Sequence, residues 1–263
     1  MSLISQSLAL APAYQPSPNN DITPPEPAGR TKRGIADSDK RWPDGVITVA
    51  LDLRDEKSKA LVVDAIREWA HHTPALRFNI VDGKTGDIRI SDDEGLKGNW
   101  SAIGTQARHI DEDQPTMHLD RTDDSKKFRS TALHEFGHAL GLLHEHQHPQ
   151  NTLDWDRPQV YDYYTSDAFS EAMVREHILE PDNRPGLQIT PYDPQSVMHY
   201  EIPAELRRNG QGIPKNTTLS AGDQQAIRRL YPPGQPDVVR AADKHRLTYS
   251  LNTTGNFPAI GTN

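Results

Sequence analysis

The 263-residue chain contains no cysteine, which excludes disulfides, thiolate metal sites and a cysteine nucleophile together. It has no apolar run approaching the roughly eighteen residues that a membrane-spanning helix requires, so membrane insertion is not expected. Aromatic residues are sparse at 6% and the formal net charge is −8. No basic stripe interleaved with aromatics is present, and nucleic acid is not an expected partner. The opening residues, MSLISQSLALAPA, lack a basic start and are interrupted by Ser5, Gln6 and Ser7, which makes a poor export signal. Two N-x-T sequons, at Asn216 and Asn252, read as chance occurrences.

Proline, by contrast, is plentiful, with 21 residues. APAYQPSPNNDITPPEPAGRTKR (11–33) shows no hydrophobic period, so residues 1–33 read as a flexible leader. The last stretch, 234–263, mixes turn formers with scattered apolar residues and reads as a tail, leaving 34–233 as the globular unit. Within it VITVALDL (46–53) alternates like a strand. EKSKALVVDAIREWAHH (56–72) follows, with Leu61, Val62, Ala65, Ile66 and Trp69 at helical spacing. LRFNIV (76–81), DIRIS (87–91), WSAIG (100–104) and TMHLD (116–120) are short strand candidates. A second helix is expected from Asp124 or Ser125 through Leu140. Residues 150–215 are Pro-rich, with a short helical candidate at 167–179. SAGDQQAIRRLY (220–231) opens with a capping pattern and closes the unit as a helix.

Chemistry concentrates in HEFGHALGLLHEH (134–146), which holds four histidines, two glutamates and two glycines. On a helix each residue advances by about 100°, so His134 and His138 point the same way, one turn apart, and can share one ion. Glu135 sits one step round, beside the ion but not an obvious ligand, where its carboxylate can take a proton from a water. Gly141 suits the left-handed conformation that ends a helix, and the resulting turn would bring His144 round as a third ligand. Three neutral nitrogens with an open position describe a catalytic zinc site rather than a closed structural one. Leu133, Phe136, Gly137, Ala139 and Leu140 make the segment too apolar for a free, solvated histidine-rich helix. His146 and His148 follow the turn and are expected to be exposed and uninvolved.

The extended pattern H-E-x-x-H-x-x-G-x-x-H is the metzincin signature, completed downstream by a methionine turn. Here YDPQSVMHYE (192–201) supplies Met198, and Glu145 follows the third histidine. With RWPDGVITVAL (41–51), LRFNIV, NWSAIG and LSAGDQQAIRRLY in the same order, residues 41–231 resemble the astacin family of zinc endopeptidases. The resemblance implies an α+β, metzincin-like zincin. Its parts would be a twisted mixed N-terminal sheet, two long helices, a zinc cleft and a mostly irregular C-terminal subdomain closed by a helix. It implies one Zn2+ held by His134, His138 and His144, with Glu135 as general base. Tyr200 matches a tyrosine that lies near the zinc and helps stabilise the oxyanion. Met198 would be a packing floor beneath the site. The expected partner is a protein or peptide substrate lying extended along WSAIG as edge strand, and the expected state is a monomer.

The match departs from the family in two respects. Family members commonly carry disulfides, yet Asn99 and Ala75 stand where cysteine is frequent. In the family a propeptide is removed and the new N-terminus docks near the glutamate after the third histidine. RTKR before Gly34 is a suitable cut, Glu145 is present to receive the amine, and Asp21 is a weak candidate for a blocking carboxylate. Localisation is left open: the resemblance implies secretion, but the chain carries no clear export signal and no cysteine. Two other functions are weighed: a serralysin-type metzincin, disfavoured by Glu145 and RWPDG, and a catalytically silent zinc-stabilised binding module, disfavoured by the intact Glu135. The basic residue of an acid-preferring substrate pocket is not identifiable from the sequence.

Overall fold

A computed structural model describes residues 34–166 and 169–233; the leader, Arg33, Asp21, Asn252 and the tail lie outside the described residues. The elements run β1 (Ile35–Asp37), β2 (Gly45–Asp52), α1 (Glu56–Ala70), β3 (Leu76–Asp82), β4 (Ile88–Ser91), β5 (Trp100–Ser101) and β6 (Met117–His118). They continue with α2 (Ser125–Ala139), α3 (Arg157–Tyr164), α4 (Glu171–Val174), β7 (Leu187–Ile189) and α5 (Ala221–Leu230). A five-stranded sheet has the order β3-β2-β4-β6-β5. Its first four strands are parallel and β5 is antiparallel, with Trp100 opposite His118. WSAIG is therefore an edge strand, although only two of its residues pair. No helix among the described residues is long and apolar enough to cross a membrane.

The two long helices are capped as their sequences suggest. The Asp55 carboxylate accepts from the Ser58 N–H and starts α1; Asp124 does the same for Lys127 at the start of α2. The inner face of α1 buries Val62, Ala65, Ile66 and Trp69. Phe78 of β3 meets Phe136 of α2 edge to face, at 5.5 Å. This upper core holds Trp42, Trp69 and Tyr231 as its largest side chains. A separate cluster of Trp155, Val160, Val174, Ile178, Leu206 and Ile213 forms a second core, against which Tyr200 packs. Strands β1 and β7 pair antiparallel and join the two halves.

The Pro-rich middle is more ordered than its composition implies. Asp156 caps α3, with Pro158 in its first turn, where a missing N–H costs nothing. The 167–179 candidate becomes α4 followed by a π-helical turn, Arg175–Leu179. Asn99, at a frequent cysteine position, accepts the Asp120 N–H through its side-chain oxygen, so a hydrogen bond joins these two segments.

The second half of α2 is held from three directions, two of them at its end. Trp69 Nε1 donates to the Leu133 carbonyl (2.9 Å), Trp42 Nε1 to Ala139 (2.7 Å) and the Tyr231 hydroxyl to Leu140 (2.8 Å). The last carbonyls of a helix have no partners within it; here indole and phenol donors from β2's approach and from just beyond α5 supply them.

Candidate metal and catalytic site

Gly141, at φ +101°, ends the histidine helix. The Gly141 N–H donates to His138 O (2.8 Å) and the Leu142 N–H to Gly137 O (3.0 Å). These are the paired bonds of a Schellman turn. The chain then doubles back, and His144 faces the two helix histidines. One nitrogen from each of His134, His138 and His144 lies within 4.8 Å of the other two.

Hydrogen bonds set the tautomers. His134 Nδ1 lies 2.7 Å from the Val197 carbonyl oxygen and His138 Nδ1 lies 2.8 Å from that of Leu142. A carbonyl only accepts, so each Nδ1 carries the hydrogen and each Nε2 presents a lone pair. His138 Nε2 and His144 Nε2 approach to 2.9 Å, an arrangement that a shared cation makes favourable. Burial pushes His134 and His144 well below the ordinary histidine value, and His138 down to about 4. The neutral imidazole is the form that binds metal. Donor chemistry, tautomers and closeness all fit zinc.

Glu135 is 6% exposed. Burial pushes its carboxyl up to about 8, while Lys215 draws it back; a nearby dication draws it down further. Met198 is 2% exposed and packs against α2 at Gly137. A Cβ on Gly137 would run into Met198 Sδ, with Trp69 Cζ2 at 3.1 Å, so the first glycine of the stretch is a packing requirement. Tyr200 stands beside the triad, its ring centre 4.3 Å from that of His144 and 6.1 Å from that of His134. Glu145 is 1% exposed; its Oε1 accepts the Asp193 N–H (2.6 Å), and its own N–H donates to Met198 O (3.0 Å).

His146 and His148 differ from expectation. They are 1% and 0% exposed, because the chain after His144 packs against residues 176–180 and Thr190 instead of turning outward. His148 Nε2 bonds the Thr190 carbonyl, and His146 Nε2 that of His177. Burial pushes His146 down to about 3. Neither joins the triad.

Three participants escaped the sequence reading. Lys215 donates to Thr131 Oγ1 (3.0 Å) and lines the cleft, its amine pushed down by burial. Asn216 donates to the carbonyls of Pro194 and Ser196, so its amide is committed to the methionine turn. Asp223, the predicted capping residue, also accepts from Ser196 Oγ (2.5 Å) and the Val197 N–H (2.9 Å). Val197 is the residue whose carbonyl orients His134. Only the capping half of Asp223's role had a local signal. The cleft itself, about 540 Å³, runs from Trp100 and Ser101 past the triad to Glu176 and Asp182.

The chain is similar to several known proteins. The model of the Astacin peptidase family matches residues 34–241. The astacin-like metalloendopeptidase of Mus musculus is 28% identical over 187 residues, covering 68% of this chain and 37% of the mouse protein. Meprin A subunit alpha of Mus musculus is 25% identical over 231 residues, covering 88% of this chain and 27% of that protein. The chain thus spans well under half of these relatives' length. A solved structure of myroilysin is 36% identical with a TM-score of 0.70, covering 77% of this chain and 100% of that one. The matches favour neither the serralysin-type reading nor the silent binding module.

Proposed function

Because this chain belongs to the astacin family of peptidases, we propose that it is a zinc-dependent endopeptidase acting as a single chain on extended polypeptides. The observation that carries the reading is the neutral histidine triad with a buried carboxylate one residue away on the cleft floor. Zinc, when bound, supplies Lewis acidity that polarises a carbonyl and lowers the pKa of water.

The chain's own residues do the rest. Glu135 takes a proton from the attacking water and returns it to the departing nitrogen. The Tyr200 phenol donates to the substrate oxygen on which negative charge develops. Trp100 and Ser101 on the β5 margin line the cleft, which supports binding of substrate as an added strand, backbone to backbone. The Lys215 ammonium, partly withdrawn from water beside Glu135, supports a preference for substrates that bring a carboxylate to that part of the cleft.

The leader is part of the same reading. Gly34 O accepts from the Thr190 N–H (2.8 Å) and Thr190 Oγ1 (3.0 Å), and a Cβ at Gly34 would meet Ala226 Cβ at 2.5 Å. Glu145 bonds Asp193 a few residues on. This proximity supports cleavage after Arg33, with the new amine docking toward Glu145 and residues 1–33 serving as an inhibitory segment. Equal specific activity in the full chain and in a chain beginning at Gly34 would remove that part.

The test of the main reading is casein cleavage by the zinc-loaded chain against Glu135→Ala prepared in the same way. General-base loss is expected to reduce turnover by about 10²–10⁴-fold with zinc content unchanged. Equal cleavage by both, or none by the parent in either its full-length or Gly34 form, would refute the proposal.

A further inference from the structure

His146 falls outside the mechanism, yet it is buried against it. Its ring lies nearly parallel to the Tyr200 phenol, with centres 4.3 Å apart and planes at 22°. On its other contacts it meets His144 at 5.3 Å and His199 at 6.3 Å. Nε2 donates to the His177 carbonyl oxygen (2.9 Å), while Nδ1 has no hydrogen-bond partner among the described residues. An apolar side chain would fill the same volume without leaving a buried nitrogen unpaired, which is a cost. What the imidazole adds is a flat face whose rotation is set by the bond to His177.

That bond reaches the wall of the cleft. His177 belongs to the π-helical turn Arg175–Leu179, and Glu176, His177 and Glu180 line the cleft. Gln147, next to His146, donates to the carbonyls of Glu176 and Glu180. The turn after the third histidine therefore grips this wall at several points.

We propose that His146 is a positioning residue, whose ring, tethered to the cleft wall through His177, holds the Tyr200 phenol in the orientation used for catalysis. The inference rests on the role given to Tyr200 above. It makes turnover sensitive to the 175–180 wall although that wall supplies no member of the triad. A substrate that moves the wall would move the phenol with it.

Two substitutions isolate the flat face. His146→Leu and His146→Phe both lose the His177 bond and both fill the volume with carbon, but only Phe keeps a planar ring under Tyr200. The Leu variant is expected to show a kcat about tenfold below the Phe variant, with KM and zinc content the same in both. Introduced together with Tyr200→Phe, the two should become equal. A readout independent of activity uses fluorotyrosine in place of the eight tyrosines, the Tyr200 line being the one that Tyr200→Phe removes. That fluorine line should be shifted or broadened most by Leu and less by Phe, which keeps the flat ring but loses the tether to His177. Equal kcat for Leu and Phe, a gap that persists in the Tyr200→Phe background, or a fluorine line indifferent to Leu overturns the inference. If Tyr200→Phe alone leaves kcat intact, the reading of Tyr200 fails instead, and the fluorine line still decides whether His146 orients the ring.

Discussion

Replacing Tyr231 with phenylalanine removes a single oxygen from a ring that is 0% exposed. That oxygen donates to the Leu140 carbonyl (2.8 Å) at the end of the histidine helix and accepts the Trp42 N–H (3.1 Å). Both partners are buried, and the carbon skeleton of the ring is unchanged, so the cavity created is small. Each buried group left without its partner costs about 1–3 kcal/mol, and the two together give an expected loss of about 3 kcal/mol. At an m-value of about 2 kcal/mol/M the urea midpoint falls by roughly 1.5 M. The measurement belongs on chelator-treated protein, because a bound metal adds its own stabilisation and breaks the two-state assumption. Trp42→Phe tests the same end of the helix through its indole bond to Ala139. The bond between the two residues uses the Trp42 backbone N–H and survives Trp42→Phe, so that variant isolates the indole donor. A loss below about 1 kcal/mol for Tyr231→Phe, at unchanged m-value, would refute the argument that these donors secure the helix end.

Three further outcomes are expected. Gly137→Ala pushes a methyl into Met198 and Trp69; it should cost about 1–3 kcal/mol and raise the zinc dissociation constant, read by chelator competition. Lys215→Met should lower kcat/KM for peptides with an acidic residue near the cleavage site more than for neutral ones, and an equal effect on both would remove the charge argument. His199 is held neutral, its value pushed from 6.5 down to about 4 by burial, with Tyr192 and the Tyr200 carbonyl as partners. Its folded value is depressed, so its contribution is present above 6.5 and lost as pH falls through about 4, at most about 3 kcal/mol. Between pH 6.5 and 4 the stability of His199→Gln should therefore fall less steeply than that of the parent, as urea titrations would show.

The metal site was legible because its spacing is local. His134 and His138 share a helix face, and Gly141 reverses the chain within the next few residues, so the geometry of three ligands follows from backbone rules over eleven residues. Asp124 and Ser220 announced their helices in the same way, through side chains that reach no further than three residues ahead; Asp55, not singled out in the sequence, caps the first helix likewise. The short helix after Asp156 carried the same signal, with Pro158 behind it, but the surrounding prolines disguised it. The pairing of Ile35–Asp37 with Leu187–Ile189 had no local signal, because β1 and β7 are more than 140 residues apart.

The sequence by itself thus pointed to the ion, to the three histidines and to Glu135 as the proposed base, since those depend on helical period, the turn at Gly141 and the chemistry of neutral imidazole. Tertiary structure decided what surrounds them. Whether His146 and His148 face water depends on where the chain travels after the turn, and it travels against residues 176–180 and Thr190. That Asp223 supports Val197, that Lys215 comes near Glu135, and that Trp42 and Tyr231 close the end of the histidine helix all require segments tens to hundreds of residues apart to pack into one core. Burial and long-range hydrogen bonding are properties of that packing, and no local rule carries them.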